Sequence, residues 1–231
     1  MTHFVLNDVV QCAHGPAGRC LQCSGRLVQN VPLQLYSGWC SVYSSPASSS
    51  TSPAPRPPGG AAAARELPFP ALAALIACLA PEPGERLLHL GSGAGRALAA
   101  WALLVPRGAA CGVESCPLLH GAALAAVNRL DPEVQQRVFA HNGDLFDMQG
   151  DWHQASAILV NTDGLDDNRL RRVAEGLVAA GPGARVVSIS RPLCPDARSA
   201  PLGFELARQA AYRTVGLGNT NVFIYRKVGA G

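Results

Sequence analysis

The sequence predicts an open, doubly wound α/β sheet, and three features of residues 67–227 carry that reading. Apolar strand-like runs alternate with segments of helical periodicity five times. The first run, 87–90, breaks into glycines at alternate positions, Gly91-Ser92-Gly93-Ala94-Gly95. The last two runs, 204–212 and 221–227, have no helix between them, as in a terminal antiparallel pair.

Each element has its own signal. Pro70 stands at a helix start, and Leu72, Leu75, Ile76 and Leu79 follow at helical spacing until Pro81 ends the run. Residues 87–90 form the first strand and 96–104 the helix after it. Residues 109–114 are the second strand and 118–130 the second helix. A short third strand at 138–142 leads into Gly143-Asp144-Leu145-Phe146, and 157–160 is a fully apolar fourth strand. A helix over 168–180 carries Leu170, Val173, Leu177 and Val178 on its apolar side. Gly181-Pro182-Gly183 then turns the chain into a fifth strand at 184–190.

Composition narrows the class. Of 231 residues, 48% are apolar and 15% charged, so the chain has the material for a real core. A net charge of +3 argues against a strongly basic nucleic-acid binder. No apolar run reaches the roughly 18 residues of a membrane helix. The amino terminus lacks the basic and apolar regions of a secretory signal, so a reduced, intracellular setting is expected for the eight cysteines. Cys78 and Cys111, inside apolar runs, read as small buried hydrophobes. Only Cys20 and Cys23 have metal-ligand spacing and no second such pair follows, so no metal centre is expected.

The chain divides into an irregular extension, 1–63, and an α/β domain, 64–228. Within the extension, residues 44–60 form a Ser/Pro/Gly tract that reads as a flexible linker. One short strand is expected around 27–35.

The chemistry gathers at strand ends. Glycines let the turn at Gly91, Gly93 and Gly95 bend sharply and approach a ligand, and the following helix aims its N–H groups there. Glu114 ends the second strand about 20 residues on, where a carboxylate can accept both hydroxyls of a ribose. Together they point to an adenosine-bearing cofactor. Asp144 is either a helix cap or a cofactor ligand. Asn161, at the end of the fourth strand, is either a turn residue or an orienting group for an incoming nucleophile. His89 is either a local hydrogen-bonding group at the site or a core-facing structural histidine. Asp163, Asp166 and Asp167 read as a solvated loop or helix start.

The order and spacing of these pieces resemble the class I S-adenosylmethionine-dependent methyltransferases, and within them the Dot-type (disruptor of telomeric silencing) histone lysine methyltransferases. The resemblance runs from about Leu67 to Tyr225. It is carried by Leu67-Pro68-Phe69-Pro70, Leu90-Gly91-Ser92-Gly93-Ala94-Gly95, Gly112-Val113-Glu114, Gly143-Asp144-Leu145-Phe146, Ile158-Leu159-Val160-Asn161 and Gly183-Ala184-Arg185-Val186-Val187-Ser188. It implies a Rossmann-like sheet ending in an antiparallel pair and S-adenosylmethionine as cofactor. It further implies cofactor contacts from His89, Gly91, Ser92, Gly93, Gly95, Arg96, Glu114, Asp144 and Leu145, with Asp144 on the adenine amino group and Leu145 against the ring. Asn161 becomes the catalytic residue. The implied acceptor is a protein lysine on a core histone, with a nuclear location, no sequence-specific nucleic-acid binding and no membrane. The chain departs from the family at His89, which usually is Asp, and at Thr162-Asp163, where a second Asn and an aromatic are common. Upstream, Tyr36-Ser37-Gly38-Trp39 is a poor match to the family's Tyr-Gly-Glu loop. These departures keep two alternatives open: a catalytically silent binding protein of the same fold, and a methyltransferase acting on a non-histone protein or small molecule.

Overall fold

The computed structural model describes residues 10–12, 43, 66–194, 200–216 and 218–228. Along the chain come β1 (Val10–Cys12), α1 (Phe69–Leu79), β2 (Arg86–Leu90), α2 (Arg96–Leu104), β3 (Ala109–Glu114), α3 (Pro117–Val127), α4 (Pro132–Gln135), β4 (Val138–Asn142), β5 (Ala157–Asn161), α5 (Asp167–Gly176), β6 (Arg185–Ile189), β7 (Phe204–Arg213) and β8 (Asn219–Lys227). Two 3-10 segments, Leu145–Gln154 and Leu177–Ala179, complete the list.

All eight strands join one sheet in the order β1-β7-β8-β6-β5-β2-β3-β4. Strands β2 to β6 run parallel, and β8 pairs antiparallel with both β6 and β7. Strand order reverses between β2 and β5, which lie side by side. Such a reversal opens a crevice at the carboxyl ends of the two strands, and the doubly wound architecture expected from the sequence puts the site there.

Period-two alternation distributes the core over both faces of this sheet. Leu87, Leu159, Val187, Val222 and Ile224 pack with α1 and α2, including Leu75, Leu98 and Trp101. The intervening residues Leu88, Ile158, Val186, Phe223 and Tyr225 pack with Trp152, Leu170, Val173 and Leu177 on the other face. Gly112, in the middle of β3, is required by close approach. A Cβ there would lie 2.7 Å from the Cβ of Ser92 and 2.8 Å from Leu98 Cδ1, so the glycine turn and α2 lie flat on the strand only because that atom is missing.

Several boundaries differ from expectation, each for a local reason. The helix expected over 118–130 ends at Val127; Pro132 cannot donate to a continuing helix and instead opens the separate turn α4. The helix expected over 168–180 loosens to 3-10 geometry after Gly176, where a Cβ would meet the Trp152 ring at 2.5 Å. The segment after Asp144 is a 3-10 helix, Leu145–Gln154, in line with the helix-cap reading of Asp144. Asp144 starts it with a capping box: its side chain accepts from Phe146 N–H, and Asp147 accepts from Asp144 N–H. Strand β1, from within the stretch read as an irregular extension, pairs antiparallel with β7. The strand expected at 27–35, the tract 44–60, Tyr36–Trp39 and Cys20, Cys23 and Cys40 lie outside the described residues. Cys78 and Cys111 are half-buried and pack against the two core clusters, and Cys78 Sγ accepts from Arg208 Nη1 at 3.2 Å. Among the described residues no helix is long and apolar enough to cross a membrane, and no cluster of His, Cys, Asp and Glu is suited to a metal ion.

Candidate functional site

The crevice is built from the ends of β2, β3 and β5. Beyond Leu90 the backbone enters the left-handed region three times, at Gly91 (φ 76°), Gly93 (φ 57°) and Gly95 (φ 77°), conformations that favour glycine. Gly91 and Ser92 both donate to the carbonyl of Val113 at 2.9 Å, which ties the turn to the end of β3. Gly95 then caps α2 from the left-handed region. Across the crevice, a Cβ on Gly91 would stand 3.3 Å from the Cβ of Asn161. The turn and the end of β5 are therefore in near contact, as the strand order demands.

Glu114 sits where the sequence places an acid, at the end of β3, and only 9% of it is exposed. Its Oε2 accepts from Gly93 N–H and its Oε1 from Cys116 N–H, both at 2.8 Å. Each oxygen retains a lone pair, so two acceptors remain beside the turn. A buried carboxylate fixed by two backbone N–H groups is pre-oriented, which is what a ribose site needs.

A second acid, absent from the sequence reading, faces the same turn. Glu66 stands just before α1. Its Oε1 accepts from Ala94 N–H at 2.6 Å and its Oε2 pairs with Arg96 Nε at 2.9 Å. The Arg96 guanidinium stacks over the Tyr43 ring at 4.5 Å, and the Tyr43 hydroxyl donates to the Ala94 carbonyl at 3.4 Å. Burial pushes the Glu66 carboxyl above the ordinary carboxylate range, against the lowering effect of Ala94 N–H and Arg96; it pushes the Tyr43 phenol up as well. The sequence held one clue: Glu66 is the only acid between Asp8 and Glu82. Nothing comparable marks Tyr43.

His89 lines the same pocket as Glu66, Gly91, Ser92, Arg96 and Asn161. It is 7% exposed, and neither ring nitrogen has a hydrogen-bond partner among the described residues. Desolvation holds its pKa down to about 4, so the imidazole is neutral at neutral pH. Ser92 Oγ is likewise buried without a partner. The pocket measures about 30 Å³. That is room for one or two waters, so an amino-acid-sized ligand enters only if Glu66 or its neighbours shift.

The remaining expected residues divide. Asn161 reaches the crevice, and its Oδ1 accepts from Asp163 N–H at 3.1 Å in a side-chain-built turn. Thr162 is fully buried and ties β5 to the chain after β6: its hydroxyl donates to Ile189 O at 2.7 Å and accepts from Arg191 N–H at 2.8 Å. Asp144 caps the 3-10 segment and pairs with Arg169 Nη2 at 2.7 Å. The Phe146 N–H bond, followed by Arg169, holds its carboxyl below the ordinary range. Leu145 is buried with Val113 and Trp152. Of the acids that follow Asn161, Asp166 caps α5 and Asp167 pairs with Arg191, while Asp163 donates its backbone N–H to Asn161. A larger cavity of about 270 Å³ lies under the 3-10 segment, lined by Cys111, Phe139, His141 and Met148. No residue of the glycine turn lines it.

No protein-family model matches the chain, and no curated protein matches it in sequence. Solved structures do match in fold. An RNA methyltransferase from Salinibacter ruber, determined with S-adenosyl-L-homocysteine, is 22% identical with a TM-score of 0.52, over 71% of this chain and 94% of that one. TrmN from Thermus thermophilus is 20% identical with a TM-score of 0.55, over 69% of this chain and 49% of that one. The chain has the class I, Rossmann-like methyltransferase fold, antiparallel finish included.

Proposed function

We propose that the protein binds S-adenosylmethionine in the crevice above β2, β3 and β5 and transfers its methyl group. The observation that carries this reading is Glu114, a buried carboxylate locked by Gly93 and Cys116 N–H groups at the end of β3. The charge pattern suits the cofactor. Glu66, Glu114 and Arg96 bring two negative charges and one positive to the turn, and the cofactor carries a sulfonium, an ammonium and a carboxylate. The unpartnered nitrogens of His89 and the Ser92 hydroxyl are buried polar atoms that a polar ligand would satisfy.

Glu114 would hold the ribose hydroxyls, and Gly91, Gly93 and Gly95 would let the backbone approach. When bound, the cofactor supplies an electrophilic methyl on its sulfonium. The protein's part is then proximity, orientation and exclusion of water. Asn161, facing Gly91 across the crevice, would orient the acceptor without taking its proton. Asp144, which also caps the 3-10 segment and pairs with Arg169, would accept from an adenine amino group with a remaining lone pair, and Leu145 would pack the ring.

A lysine of a core histone as acceptor, with a nuclear location, rests on the motif resemblance alone. The Salinibacter ruber neighbour is an RNA methyltransferase, and fold does not fix the acceptor. A non-histone protein or a small molecule fits the same crevice chemistry. A silent binding protein is the competing reading, and the neutral, unpartnered His89 favours it.

The test is methyl transfer from labelled S-adenosylmethionine, offered separately to core histones, RNA and total lysate. Label on a histone lysine supports the full reading, and label elsewhere reassigns the acceptor. Binding without transfer to any acceptor favours the silent protein. A folded protein that does not bind the cofactor overturns the proposal.

A further inference from the structure

We infer that Glu66 and Arg96 form the subsite for the amino-acid end of the cofactor, with Glu66 taking the α-ammonium and Arg96 the carboxylate. The inference rests on the proposed cofactor and adds which side chains read its zwitterionic end.

Three observations converge on it. First, among the residues lining the pocket between β2, β5 and α2, Glu66 is the only acid and Arg96 the only side chain of fixed positive charge. A zwitterion entering there meets one partner of each sign. Second, both charged groups are largely withdrawn from water, with side-chain exposures of 11% and 23%. Charges withdrawn in this way need partners of opposite sign, and an exchange of partners between two zwitterionic pairs leaves none uncompensated. Third, His89 presents two nitrogens in the same pocket that have no partner among the described residues. As neutral imidazole it can accept one N–H but cannot neutralise an ammonium. The negative charge must therefore come from Glu66.

The arrangement also explains why the acid sits outside the strands. Glu66 belongs to the segment leading into α1, whose Leu67 and Phe69 anchor in the core. Its carboxylate lies against Gly93, where a Cβ would collide with Oε1. Only glycine at 93 allows that approach.

Calorimetry with two ligands tests the subsite. S-adenosylhomocysteine carries the amino-acid end; 5′-methylthioadenosine lacks it but keeps the adenine and ribose. Wild-type protein should prefer the first by at least about tenfold. Glu66→Gln keeps the side chain's size and its acceptor for Ala94 N–H. It should weaken S-adenosylhomocysteine about tenfold or more while leaving 5′-methylthioadenosine within about twofold. A parallel loss for both ligands would show that Glu66 only shapes the turn, and no loss for either would show that it plays no part; both results overturn the inference. Equal wild-type affinity for the two ligands also overturns it, with no variant needed, and leaves the proposed function standing. Wild-type protein that binds neither ligand removes the proposed function and this inference with it.

Discussion

Glu66 and Glu114 hold consecutive N–H groups of one turn: Gly93 donates to Glu114 at 2.8 Å and Ala94 donates to Glu66 at 2.6 Å. The two acids come from different parts of the chain, one from the end of β3 and one from the segment before α1. Burial pushes the Glu66 carboxyl up, and the charge of Glu114 adds to that push. Arg96 offsets part of this. The turn is thus held under negative charge, which a cationic ligand would relieve.

His89 makes stability depend on pH. Its folded pKa is about 4 against an ordinary 6.5. The unfolded chain therefore binds its proton first as pH falls. Stability from this group is fully present above about 6.5 and is lost as pH drops through that window to about 4. The shift corresponds to roughly 3 kcal/mol at most. Urea unfolding between pH 7 and 4 should show a fall that His89→Leu reduces. An identical pH slope in the two proteins would mean that His89 titrates alike in the folded and the unfolded chain.

Thr162 is a clamp. Thr162→Val keeps the shape but removes the hydroxyl that accepts from Arg191 N–H, while the Ile189 carbonyl keeps the backbone N–H of residue 162 at 3.1 Å. A loss of about 0.5–1.5 kcal/mol is expected from losing these hydrogen bonds, with cofactor affinity little changed. Denaturant unfolding checks the first part and calorimetry the second.

Asn161 separates turn from chemistry. An Asp can build the same turn by accepting from Asp163 N–H. Yet beside a lysine acceptor, a carboxylate favours the protonated, non-nucleophilic amine. Asn161→Ala should lower methyl transfer about ten- to a thousandfold with cofactor affinity barely altered. Asn161→Asp should fold as well as the parent and still transfer slowly. Parent rates in both variants would reduce Asn161 to a turn residue.

The sheet was legible because its signals are periodic and local. The observed bounds of α2, β3 and β4 coincide with 96–104, 109–114 and 138–142, where apolar runs are bounded by glycine or proline. The need for glycine at 176 is not legible, because the Trp152 ring it accommodates is brought there only by the fold. The same holds at the site. Gly91, Gly93, Gly95 and Glu114 announce themselves by spacing, and the structure brings them together with Asn161. Glu66 and Tyr43 reach the turn from upstream, across sequence gaps that no spacing rule covers. Asp144 could be read two ways, and the observed cap and its Arg169 pair are the local way.

The central claim is that Glu114 anchors an adenosine-bearing cofactor, and calorimetric titration of the folded protein with S-adenosylmethionine tests it most directly. Saturable binding to the wild type is predicted. Glu114→Ala, confirmed as folded, should weaken it by about ten- to a hundredfold or more, since each lost charge-assisted hydrogen bond is worth roughly 1.5–3 kcal/mol. Unchanged affinity in the folded variant, or no binding to the wild type at all, would contradict the account.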